Sequence, residues 1–136
     1  MRILSSLLLG AALIGVGAAA PAAPRDNGKS EAKLATALEG RVAGKPVSCI
    51  SMRDITSTEI FDGTAILYRV GGGRLYVNRP KIAADALYYD DILVTRTYGS
   101  QLCNLDTVKL IDRGSRFEHG FVGLGDFVPY TKAARS

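Results

Sequence analysis

The chain has 136 residues, with 17 Lys and Arg against 13 Asp and Glu, a net charge of +4, one histidine and two cysteines. That length leaves room for one domain, and a basic surplus with no Lys/Arg run behind it argues against nucleic-acid binding. The lone histidine and two cysteines that form no C-x-x-C give a metal or cofactor site almost nothing to use, and none is expected.

In chain order, residues 1–22 read as a secretory signal peptide. Arg2 supplies the positive start, Leu4 to Val16 the apolar stretch, and Ala20-Pro21-Ala22 an A-x-A site cut before Ala23. No cysteine near this site could accept a lipid, and residues 3–20 are barely long enough to span a bilayer. No stable membrane anchor is therefore expected after cleavage. Residues 23–40 read as a polar linker and a short helix over 31–39, with Ser30 as cap, Leu34 and Leu38 on one face and Gly40 at the end. Residues 41–131 read as a single β domain, and 132–136 as a tail.

Within that domain, residues 51–55 fit a single helical turn. The strongest signal follows: Ile66, Leu67, Tyr68 and Val70, then Gly71-Gly72-Gly73, then Leu75, Tyr76 and Val77. It reads as two strands reversing at glycines that can take positive φ, with Asp62-Gly63 marking a turn upstream. Both faces of this hairpin carry apolar side chains, as in a small barrel or a sheet covered on its outer side. Arg79-Pro80 stops the second strand, and residues 81–89 fit a turn of helix. Strands follow over 92–97 and 107–112, and residues 121–130 close the domain, bent at Gly123 and Gly125. Short strands punctuated by Gly, Asp and Asn predict a mainly β fold: a small antiparallel β-barrel or sandwich-like sheet with a short N-terminal helix.

Catalytic patterns are weak. Gly40-Arg41-Val42-Ala43-Gly44-Lys45-Pro46 is a residue short of a phosphate-binding loop and ends on proline where that loop needs Ser or Thr, so it reads as a turn. His119 lies in a predicted loop with no nucleophile elbow beside it and reads as a surface histidine. Asp90 and Asp91 would point to opposite faces of an extended chain, and Asp54, Glu59, Asp62, Asp106 and Asp126 are dispersed, so paired-carboxylate chemistry has no local signature. The six tyrosines are the most suggestive feature. Tyr68 and Tyr76 on the hairpin arms, with Tyr88 and Tyr89 before the next strand, form a possible binding surface for sugar or peptide; half-buried sheet positions are the plainer reading.

Cys49 and Cys103 would pair in an oxidising compartment, two separate buried thiols being the alternative. Closing a loop of about 50 residues stabilises a fold by roughly 4 kcal/mol in the chain-entropy model.

Cys49-Ile50, Tyr76-Val77-Asn78, Gln101-Leu102-Cys103-Asn104-Leu105-Asp106 and Gly123-Leu124-Gly125-Asp126-Phe127-Val128-Pro129 together resemble a family of small exported proteobacterial proteins. The likeness runs from about Leu38 to Tyr130. The family is a domain of unknown function, so the resemblance implies no activity or catalytic residues. Its members tend to have four cysteines, two matching Cys49 and Cys103 and two falling near Ala84 and Val122, where this chain has none. Joint loss of one pair implies that Cys49 and Cys103 are the other.

The expectation is a non-enzymatic periplasmic or secreted domain that binds or braces an envelope component, protein or glycan. The alternatives are a small inhibitor of an envelope or cell-wall hydrolase, which a basic chain would be poorly steered toward if that target is cationic, and a carboxylate-dependent glycan-acting enzyme.

Overall fold

The computed structural model describes residues 27–134, together with Gly17. The expected leader (apart from Gly17), its cleavage position and the first residues of the linker lie outside the described residues.

The fold is mainly β, with one N-terminal helix, α1 (Gly28–Ala37), and ten strands: β1 (Arg41–Ala43), β2 (Cys49–Ser51), β3 (Ile55–Phe61), β4 (Ala65–Val70), β5 (Arg74–Asn78), β6 (Asp91–Thr95), β7 (Gln101–Cys103), β8 (Thr107–Asp112), β9 (Glu118–Gly123) and β10 (Phe127–Lys132). They form a five-stranded sheet in the order β1-β10-β5-β4-β3, a three-stranded sheet β6-β8-β9 and a ribbon β2-β7. Every pairing is antiparallel. Of the two architectures the sequence allows, this is the sandwich-like one; the described sheets do not close into a barrel.

The central hairpin is β4–β5, and its register explains its two apolar faces. Tyr68 pairs with Tyr76 and Leu67 with Val77, so alternate residues face opposite sides. Ile66 and Tyr68 join Phe127, Val108, Leu110 and Val122 in the core between the sheets. Ala65, Leu67, Leu75 and Val77 face the other way and are covered by Leu34 of α1, itself 1% exposed. The helix is thus the outer cover that the doubly apolar hairpin calls for.

That helix begins three residues before the expected position. Asn27, not Ser30, holds the cap position: its carbonyl accepts from the Glu31 N–H at 2.8 Å, while its side chain crosses to donate to the Gly63 carbonyl at 3.1 Å. The amide fastens the helix start to the β3–β4 turn instead of capping locally. The helical residues end at Ala37, and Gly40 takes a left-handed φ of 71° before β1, as a chain leaving a helix requires.

The segment 121–130, expected as one closing stretch, divides between two sheets. Val122 ends in β9, and Phe127 starts β10 beside β5. The corner is locked by Asn78, fully buried, whose amide donates to the Gly125 carbonyl at 2.7 Å and whose carbonyl accepts the Gly125 N–H at 3.0 Å. A Cβ on Gly125 would collide with the Arg79 carbonyl, so only glycine lets the backbone lie this close.

Candidate functional site

The stretches around Cys49, Asn78, Cys103 and Gly125 converge on one junction. Cys49 and Cys103 lie opposite each other across the β2-β7 ribbon and are joined by a disulfide. The Cys103 N–H donates to Asp106 Oδ2 at 2.7 Å, Asn104 donates to Asp126 Oδ1 at 2.7 Å, and the Leu124 N–H donates to the Asp106 carbonyl at 3.0 Å. With Asn78 on Gly125, these bonds tie the ribbon to the corner between the two larger sheets. They are architectural: their polar groups are spent on one another.

The dispersed carboxylates are held by separate partners. Asp62 accepts the Tyr89 N–H at 2.5 Å, and Asp106 and Asp126 are held as above. Asp91 is 5% exposed; Oδ1 meets His119 Nε2 at 2.7 Å and Oδ2 accepts the Tyr88 N–H at 3.1 Å. His119 is at the surface as expected, but it stands in β9 and not in a loop, and it pairs with this buried carboxylate. Among the described residues no serine or cysteine is hydrogen-bonded to His119: the cysteines are bonded to each other, and the Ser115 hydroxyl accepts the Phe117 N–H at 3.3 Å. Among the described residues no three of His, Cys, Asp and Glu are grouped to hold a metal ion.

The four tyrosines do not form one surface. Tyr68 is 3% exposed, its ring edge-on to Phe127 at 5.7 Å, and burial pushes its hydroxyl pKa far up. It is a core residue and drops out of the expected binding surface, because that sheet face is covered by the β6-β8-β9 layer. Tyr88 and Tyr89 are 47% and 63% exposed and touch ring to ring at 4.7 Å. They sit by the Asp62 turn at the start of β4, whereas Tyr76 lies near the glycine turn at its end. The six residues of β4 separate the two places by roughly 20 Å.

Tyr76 lines a cleft of about 470 Å³, larger than the hollows of about 220 and 200 Å³ beside Tyr68 and Tyr89. One wall is the end of the disulfide ribbon and the turn after it, Ser51, Arg53 and Asp54; the other is the glycine-turn end of the central hairpin, Val70, Arg74 and Tyr76. The 3-10 turn Met52–Asp54 puts Arg53 and Asp54 on the rim. Gly72 and Gly73 take φ of 81° and 73°, and this tight reversal brings Arg74 to the opposite rim. Its guanidinium donates to the Tyr76 hydroxyl at 3.3 Å; that bond pushes the Arg74 pKa up, and the Asp54 carboxylate adds in the same direction. Neither Arg53 nor Arg74 forms an ion pair among the described residues, while Arg69, Arg79 and Arg113 each do. Arg41, which donates to the Gly73 carbonyl at 2.6 Å, and its cross-strand partner Lys132 extend the positive charge around the same end. No run of basic residues announces this site; register and turn geometry assemble it from four separate elements. Of the residues expected at a binding surface, only Tyr76 lies in it.

Comparison with protein-family models, with curated proteins and with solved structures finds no match to this chain.

Proposed function

We propose that this is an exported, non-enzymatic binding domain of the cell envelope, which holds its ligand in the cleft between the disulfide ribbon and the glycine turn. The observation that carries the reading is that Arg53 and Arg74, neither in an ion pair among the described residues, line one concave polar surface, with Arg74 held against the Tyr76 hydroxyl. Exposed charged groups outside any ion pair contribute little to folding, whereas in a cleft they orient a ligand. The disulfide supports an oxidising compartment, in agreement with a cleavable leader. Among the described residues no helix is long and apolar enough to cross a membrane. The resemblance to small exported proteins favours the same location.

Retention on envelope material tests this. The purified protein, passed over isolated cell-envelope fractions, is expected to be held back, and Arg53→Glu with Arg74→Glu is expected to abolish retention while leaving the melting temperature near that of the parent. Both side chains are exposed, so reversing their charge costs little stability. Undiminished retention of the double variant would remove the cleft from the function.

A further inference from the structure

Resting on the reading of this cleft as the binding site, we propose that its ligand is an acidic saccharide: a hydroxyl-rich ring bearing a single carboxylate, of the hexuronate kind.

The charges select the anion. Arg53 and Arg74 bring two positive charges to the rims and Asp54 one negative, and Arg41 and Lys132 add to the positive surplus around the same end. A guanidinium presents two parallel N–H donors that match a planar carboxylate. A bare phosphate would lie against Asp54 with few donors to offer it, whereas a carboxylate carried on a sugar ring can meet a guanidinium while the ring hydroxyls donate to Asp54. Asp54 also excludes a simple fatty acid. Ionised, it only accepts hydrogen bonds, so a ligand beside it must bring O–H or N–H donors. Ser51 and Thr56 line the same wall; the Ser51 hydroxyl can give or accept, and the Thr56 hydroxyl, which donates to the Arg69 carbonyl at 3.1 Å, can still accept from a sugar hydroxyl.

The remaining lining suits a ring. Tyr76 and Val70 are half-buried on the opposite wall and offer apolar surface to the C–H face of a sugar; an aromatic ring with its hydroxyl already engaged can do this without losing a bond. At about 470 Å³ the cleft falls in the range of small-ligand sites, roughly 300–1,000 Å³.

The test is an amide-resolved NMR titration of the purified protein with three probes: trigalacturonic acid, the same trisaccharide with its carboxyl groups reduced to alcohols, and inorganic phosphate. Trigalacturonic acid is expected to shift amides around the glycine turn and the 3-10 turn. Binding should weaken about tenfold or more in Arg53→Ala, in Arg74→Ala and with the reduced trisaccharide. Asp54→Asn should raise the response to phosphate. If phosphate or the reduced sugar moves the same amides at least as strongly, the ligand class is wrong and the cleft stands. If trigalacturonic acid shifts only amides elsewhere, or binds equally well to both arginine variants, the ligand class and the cleft both fall. If it shifts nothing, the acidic-saccharide assignment is overturned, while envelope retention still decides on the cleft.

Discussion

Asn78 and Tyr68 show how differently two polar side chains can be used inside one core. Asn78 spends its amide on both backbone groups of Gly125. Removing it would leave a buried N–H and carbonyl without partners, each such group costing about 1–3 kcal/mol. Asn78→Ala is therefore expected to lower the unfolding free energy by roughly 2–4 kcal/mol in urea titration; a loss under 0.5 kcal/mol would mean that the corner is held by something else. Tyr68 contributes its ring. Tyr68→Ala is expected to cost about 3–5 kcal/mol, as for a large aromatic lost from a core, whereas Tyr88→Ala and Tyr89→Ala should each stay within about 1 kcal/mol of the parent. Equal effects at all three positions would contradict their assignment to core and surface. The sequence shows the alternation that places Tyr68 and Tyr76 on one face but not the layer that covers it, because burial is decided by β6, β8 and β9 from far along the chain. The mutual bond of Asn78 and Gly125 is likewise hidden: 47 residues separate them, and an Asn ending a strand looks like any turn former.

At the scale of elements, the strands with strong alternation were the legible ones. Residues 107–112 form β8 as expected, and the glycine run reverses the chain between β4 and β5. The three-residue strands β1, β2 and β7 carry too few side chains to show a period, and pairing with distant partners defines them. The β2-β7 ribbon is the element that joins stability to the site, since Ile50 and Ser51 follow Cys49 directly and line the cleft. Cys49→Ser and Cys103→Ser should each lower stability by about 2–4 kcal/mol, and the double variant should cost little more than either, because both singles remove one bond. Calorimetry or denaturant unfolding of the three variants checks this; additive losses would show that the cysteines act separately. The cleft itself was not legible. Arg53, Arg74, Arg41 and Lys132 stand in four different elements, and only the antiparallel register and the tight Gly72-Gly73 reversal bring their charges to one end.

For the whole molecule, the proposed export and the fold would be linked through the disulfide. A chain of this size buries a limited core, and the cross-link joins the two strands of the ribbon, so the same bond that an oxidising compartment preserves also braces one wall of the cleft. The charge distribution follows the same division. Arg69, Arg79 and Lys109 are neutralised by Glu59, Glu31 and Glu118 around the body, while the glycine-turn end keeps its surplus and would steer an anionic ligand to the cleft. The central claim is that this protein works outside the cytoplasm with Cys49 and Cys103 joined. Intact-mass spectrometry of the protein recovered from the periplasm or culture medium of an expressing cell tests it most directly. The account predicts a chain that starts at Ala23 and gains about 2 Da on reduction, the two hydrogens taken up by one opened disulfide. A chain that retains residues 1–22, or one whose mass does not change on reduction, would contradict it.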